Sequence, residues 1–416
     1  MGGSALADGS HTVIRRAGGF FYQIKGECVA LLPFYIPGKR RIKVAIAGGG
    51  YAGMAALTTL KRFASAIDIT LIDPGDQHLK ITHLHETFRY PLSDLQVPFS
   101  TLESRFGCRH VQASLPVTDE LLRQWQADKY LAAGDEIIDF DYLIIATGAE
   151  SRQAGQDENV LTLQHFMHTA GPGLLHEHLN RDDRQGRDQR IISVVGAGAT
   201  GIQFLFEIRQ YLSRQKINVQ LRLVHSGERV LAQFPRGFDA YVQSCMQDLN
   251  IQVVPNVRYR GQTGEQIQLE DEQSGQLYQL PSHLTLLFLG KKQEMLLSAN
   301  MFGQAVIDQK TLQNIFIAGD CTVYKSPGSN VQSAQSAVRK GKLVGRNILR
   351  HSGLLAILEP YLHHDIGYVV NLGPVDAVGW LVTEGNIVTG IPALAIKELV
   401  EAQYDLLLRG IDTYVV

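Results

Sequence analysis

Two glycine-rich stretches carry the residues best suited to chemistry in this 416-residue chain. The first, "VAIAGGGYAGMAAL" (44–57), holds Gly48, Gly50 and Gly53 in a G-x-G-x-x-G spacing. The second, "ISVVGAGATGIQFL" (192–205), repeats it with Gly196, Gly198 and Gly201. Glycines at this spacing serve binding rather than bond breaking. One makes a tight turn, the next lets backbone approach a pyrophosphate, and the third lets helix and strand pack closely. Free N–H groups at a following helix N-terminus would face the anion, which draws Tyr51 and Ala52 at the first loop and Thr200 at the second into the candidate sites. Asp73 closes the strand-like run "IDITLID" about 20 residues past Gly53, where a carboxylate would accept bonds from an adenosine ribose. At the second loop His225 stands where that acid is expected. A neutral histidine can bond a ribose hydroxyl, and with Ser226 and Arg229 it would tolerate a 2′-phosphate.

The elements around the loops must be strand, turn and helix. "RIKVAIA" and "RIISVV" read as buried parallel strands, and "MAALTTLKRFA" and "IQFLFEIRQYL" as the helices that follow. Two loops a domain's length apart imply two dinucleotides, not one site used twice. Two more apolar runs end in Thr147-Gly148 ("FDYLIIATGAE") and Gly319-Asp320 ("NIFIAGDCTVY"). They flank the second unit, so the first domain is expected to be interrupted by it. The fold expected is α/β, with two Rossmann-like dinucleotide-binding domains, the second inserted in the first, and a C-terminal α+β region. The boundaries are 1–40 for an N-terminal extension, 41–152 and 305–350 for the first domain, 153–304 for the inserted one, and 351–416 for the C-terminal interface region.

Composition narrows the function. A net charge of −2 argues against nucleic acid as a partner, since phosphate neutralisation needs a basic excess. Cys28, Cys108, Cys245 and Cys321 are scattered, with no CxxC or CxxxxC pair, so neither a zinc knuckle nor a close redox disulfide is encoded. No metal site is expected: in "HLHE" (83–86), His83 and His85 would share a strand face lining the first cofactor's cleft, without a partner cluster. Nothing resembles a signal peptide or a spanning helix. The apolar patches "GGFFYQIK" and "ALLPFYIP" near the start receive no secure reading.

Taken together, the loops and the two flanking strands resemble the two-dinucleotide-binding-domain flavoproteins of the pyridine nucleotide–disulfide oxidoreductase-like superfamily. That resemblance implies FAD on Gly48, Gly50, Gly53, Asp73, Thr147, Gly148, Gly319 and Asp320, and NADH or NADPH on the second loop. Lacking the dithiol pair, the chain would pass electrons from flavin directly to something else. "NVQSAQSAVRKGKLVGRNIL" (330–349) looks like the A-Q-x-A-x-Q helix of type II NADH:quinone oxidoreductases. This implies Gln335 beside flavin and quinone, with Arg339 replacing the second glutamine and Gln332 able to substitute for it. "YLHHDIGYVVNLGPVDAVGWL" (361–381) is similar to the segment that closes over the flavin, and offers His364 to the acceptor site. The implied activity is hydride transfer from NAD(P)H to flavin and two electrons on to a quinone. A soluble reductase for another carrier, and an FAD-bound redox sensor or assembly partner, stay open beside it.

"IPALAIKELVEAQYDLLLRG" (391–410) reads as an amphipathic helix. Lys397, Glu401, Asp405 and Arg409 form one stripe, expected to pair as Lys–Glu and Asp–Arg. Ile396, Leu399, Val400 and Leu407 occupy another side. The helix would lie on a membrane surface, in a homodimer interface or against the body. The expected location is cytoplasmic, peripheral on the inner face of a membrane.

Overall fold

The computed structural model describes residues 41–149, 157–181, 190–290, 296–353 and 356–414. The N-terminal extension, with Cys28 and both apolar patches, lies outside them.

The chain enters with strand β1 (Lys43–Ala47), helix α1 (Tyr51–Phe63) and strand β2 (Asp68–Asp73). Strands β3 (Arg109–Gln112) and β4 (Tyr142–Ile145) follow. β1 pairs parallel with β2 on one side and β4 on the other, Ile46 opposing Leu71 and Ile144. Four of the five β1 residues are buried, as covering a parallel sheet on both faces requires.

The chain then leaves this sheet. Strands β5 (Val160–Thr162), β6 (Arg190–Val195), β7 (Val219–Val224), β8 (Gln252–Val254) and β9 (Leu284–Leu287) build a second sheet. It is parallel throughout, in the order β8-β7-β6-β9-β5. Helix α2 (Ala199–Arg214) connects β6 to β7 and buries Ile202, Phe204, Leu205 and Ile208 on it.

Strands β10 (Leu297–Asn300), β11 (Gln304–Ile307), β12 (Lys310–Ile317) and β13 (Thr322–Lys325) rejoin the first sheet. Its eight strands run β13-β10-β11-β12-β4-β1-β2-β3. The chain is therefore back in this sheet at Leu297, ahead of the return expected at residue 305. Strand β11 pairs antiparallel with both β10 and β12, a local pairing that an apolar-run pattern does not announce, and β13 adds parallel to β10 at the edge. Helix α3 (Ala334–Ser352) lies along α1. A Cβ on its Gly341 would sit 2.2 Å from the Ala52 carbonyl oxygen, so only glycine permits this approach.

Strands β14 (Gly367–Asn371), β15 (Ala377–Leu381) and β16 (Thr383–Thr389) make an antiparallel sheet, and helix α4 (Ile391–Leu408) ends the C-terminal region. Val370 and Val378 from this sheet, with Leu372 just past β14, join the core beneath the second parallel sheet. Tyr404, Leu407 and Leu408 of α4 join the core of the first. The C-terminal region thus bridges both units.

Candidate dinucleotide and acceptor sites

The two glycine loops have the same geometry. Gly48 has φ +106° and Gly196 φ +109°, a region that L side chains rarely adopt. A Cβ on Gly48 would lie 2.3 Å from the Ala146 carbonyl oxygen, and one on Gly196 the same distance from that of Phe288. Added to Gly53 or Gly201, a Cβ would lie 1.9 Å from the carbonyl oxygen of Gly48 or Gly196. The middle glycines differ in kind. A Cβ on Gly50 would meet nothing within 4 Å, and one on Gly198 only the Gln233 amide at 3.9 Å. These are the N-cap residues of α1 and α2, and neither helix has an acidic side chain in its first turn. Each loop therefore offers an open cradle of backbone beneath unshielded N–H groups, which fits a pyrophosphate.

Asp73 and His225 hold the same place in these two units. Ala47 opposes Ile72 and Val195 opposes Val224. The Gly48 N–H donates to the Ile72 carbonyl (2.7 Å) and the Gly196 N–H to that of Val224 (2.9 Å). Each side chain follows directly. Asp73 accepts from the Gly49 N–H at 2.6 Å and the Gly75 N–H at 2.8 Å. His225 is 6 % exposed, its Nδ1 has no partner, and burial lowers its pKa, so the ring is neutral. It lines a cavity of about 810 Å³ with Gly196, Gly198, Ser226, Arg229 and Arg258.

The first loop has a support that the sequence did not reveal. Buried His78 donates from Nδ1 to the Gly49 carbonyl (2.8 Å), and its Nε2 accepts from the Tyr404 hydroxyl of α4 (3.0 Å). Tyr51 turns its side chain to Thr82 (2.7 Å) and stacks near Tyr404, centroids 4.6 Å apart. Only the Tyr51 main chain is left to serve the cradle.

A second cavity, about 580 Å³, opens between the two units and α4. Helix α3 points its N-terminus there, with the Ser333 hydroxyl capping the Ser336 N–H at 3.1 Å. Gln335 and Arg339, one turn apart, line the wall. Thr200 also faces this cleft and does not line the first cavity. Gln332 instead donates to the Asp320 carbonyl (3.0 Å) and braces the Gly319-Asp320 turn, outside the cleft lining. His364 is exposed and lines neither cavity, so it does not join this site.

Charged groups close the cleft floor. Arg89 pairs with Glu207 of α2 at 2.9 Å and approaches Glu86 at 3.6 Å. Lys397 bonds Glu86 at 3.1 Å and also Glu401. Despite its burial, Glu86 is held well below the ordinary carboxylate range by His83 and Lys397. Burial pushes Glu207 up to about 7 against the pull of Arg89, and raises Glu401 too. His83, Glu86 and Glu401 bring ligand atoms within 4.8 Å of one another, but the Lys397 ammonium already bonds both carboxylates.

Three expectations change here. Residues 81–88 form a 3₁₀ helix, so "HLHE" is no strand face; His83 and His85 both line the cleft between the units, His85 buried against Phe204. Asp405 pairs with Lys80 (2.8 Å), not Arg409, because the charged stripe of α4 faces inward. Ile396, Leu399, Val400 and Leu407 share no single environment: Leu407 is buried, Leu399 is 66 % exposed, and Ile396 and Val400 line the cleft. Cys321 is a buried thiol beside the Ala318 carbonyl, pushed up to about 11 by burial, and the cysteines among the described residues are free.

Comparison with known proteins gives consistent matches. The family described as pyridine nucleotide-disulphide oxidoreductase matches residues 42–341. Type II NADH:quinone oxidoreductase of Staphylococcus epidermidis is 25% identical over 410 residues, covering 89% of this chain and 97% of that protein. Its Staphylococcus saprophyticus counterpart is 24% identical over 411 residues, with the same coverage. Among solved structures, NDH2 from Plasmodium falciparum in complex with NADH superposes with a TM-score of 0.75 at 15% identity, over 89% of this chain and 96% of that one. The sulfide:quinone oxidoreductase from Aquifex aeolicus gives a TM-score of 0.72 at 16% identity, over 89% and 92%.

Proposed function

The chain belongs to the pyridine nucleotide-disulphide oxidoreductase family, and from that premise we propose that it carries electrons from NADH or NADPH, through FAD, to a quinone. The observation that carries this reading is the pair of equivalent glycine cradles with one cleft between their units, opened on by the N-terminus of α3. Bound FAD would supply the redox chemistry, accepting a hydride equivalent and releasing two electrons. The protein's part is binding and placement.

In this reading Gly48, Gly50 and Gly53 hold the FAD pyrophosphate, and Asp73 takes the adenosine ribose. Thr147, Gly148, Gly319 and Asp320 back the rest of the cofactor at the ends of β4 and β12. The second cradle, with His225, takes the nicotinamide nucleotide. The N-terminus of α3 favours negative charge beside Gln335. Arg339 adds a fixed positive charge to the same wall. A quinone taking two electrons also takes two protons; the Lys397 ammonium at the cleft floor can give one from Nζ, and the Glu401 carboxylate paired with it can pass on a second taken up from water. Cys321 is buried and, like Cys108 and Cys245, a free thiol, which supports direct transfer rather than a dithiol relay.

The inward charge of α4 leaves Ile391 (74 % exposed) and Leu399 turned outward. No helix among the described residues is long and apolar enough to cross a membrane. Peripheral seating of this face on a bilayer is therefore part of the proposal, since quinones dissolve there. Co-sedimentation with lipid vesicles tests it, and protein that stays in the supernatant refutes it. The redox assignment is tested by anaerobic titration. NADH or NADPH should bleach the flavin, and a water-soluble quinone should restore its colour. Reduced flavin that persists in excess quinone would refute the assignment.

A further inference from the structure

We infer that the second glycine cradle accepts an adenosine bearing a 2′-phosphate, so that NADPH serves as donor alongside NADH. This rests on reading that cradle as the nicotinamide-nucleotide site.

The argument starts from the matched position after β2 and β7. At Asp73 a carboxylate faces the ribose side of the first loop. It accepts bonds from ribose hydroxyls and would repel a phosphate there. At His225 the same register position carries no negative charge. Its Nδ1, buried and without a partner, is free to bond a hydroxyl or a phosphate oxygen.

A cation stands beside it. Arg229 lines the same cavity and is anchored through Nη2 on the Ala232 carbonyl at 3.0 Å. That bond leaves Nη1 buried with no partner. A buried guanidinium N–H without an acceptor is costly, and a phosphate oxygen is a strong acceptor for it. Across the cavity Arg258 is held by Glu272 through two 3.0 Å bonds, so these two charges offset each other. The charged lining is thus Arg229, Arg258 and Glu272, an excess of one positive charge with His225 neutral. Ser226 at the rim adds a hydroxyl.

Calorimetric titration of the purified FAD-loaded protein with 2′,5′-ADP and with 5′-AMP tests this without turnover. Wild type should bind 2′,5′-ADP at least as tightly as 5′-AMP. R229Q should lose tenfold or more for 2′,5′-ADP while keeping 5′-AMP. H225E should shift the same way, and should lower the NADPH-to-NADH ratio of kcat/KM. If 5′-AMP binds and 2′,5′-ADP binds tenfold more weakly in wild type, the inference falls and the nucleotide reading stands. An unchanged 2′,5′-ADP affinity in R229Q also overturns it. If neither ligand binds, the nucleotide reading fails and the inference fails with it.

Discussion

Acidification should loosen this protein through one buried ring. His78 is enclosed between the first glycine loop and α4, and burial lowers its pKa from an ordinary 6.5 to about 4. Between those values the unfolded chain binds a proton that the folded one refuses. Stability from His78 is therefore fully present above pH 6.5 and is lost as pH falls toward 4. Relative to pH 8, the loss at pH 5 comes to about 2 kcal/mol. Other groups titrate in the same window. His85 is lowered by burial and acts with the same sign. Glu207, raised to about 7, acts with the opposite sign, since its contribution fades as pH rises. The difference between wild type and His78→Gln removes both. Urea unfolding of the two proteins across pH 5 to 8, in constant excess FAD to fix ligand linkage, should show their stability gap narrowing by about 2 kcal/mol at the acid end. Parallel curves would mean that His78 is solvated in solution, and that the α4-to-loop connection does not form.

Further outcomes follow from the same geometry. Gly53→Ala should give protein that retains little FAD, because the new Cβ meets the Gly48 carbonyl at 1.9 Å; Gly201→Ala should keep its flavin yet lose 5′-AMP binding, read by absorbance and calorimetry. Tyr404→Phe leaves the His78 Nε2 acceptor buried and unbonded, and should cost about 1–3 kcal/mol by urea unfolding. Lys397→Met strands the Glu86 and Glu401 carboxylates in the cleft floor, and should cost about 3–5 kcal/mol while slowing quinone reduction more than flavin bleaching, read by stopped flow.

Both cradles and their flanking strands were legible in the sequence because strand, turn and helix there are consecutive and each glycine answers a local steric demand. The inserted arrangement followed from where the two outer strands fell. What stayed hidden depends on contacts between distant residues. His78 sits on a three-residue strand and meets Tyr404 from the far end of the chain, a pairing no periodicity reports. The stripe Lys397, Glu401 and Asp405 was visible as a helical face, but period 3.6 says only that a face is charged, not which way it points. Its partners Glu86 and Lys80 lie on a different unit. His364 was drawn in by its neighbours Asp365 and Gly367, yet it stands exposed in the irregular stretch before β14.

The direction of that stripe bears on how the units work together. From Glu207 on α2 the charges run to Arg89 and Glu86 in the first unit, then to Lys397 and Glu401 on α4. Each step crosses from one unit to another or continues inside the cleft wall. Paired charges removed from water do little for net stability, since desolvation offsets their attraction. Their effect is on placement: sliding one unit would leave a charge unpaired in a buried site, which costs far more than losing an apolar contact. An ionic chain of this kind suits a protein whose two cradles must bring separate ligands to one cleft. The same chain leaves α4 a side that is apolar apart from Glu398 to show outward, so fixing the units and forming an exposed, mostly apolar face are one structural choice.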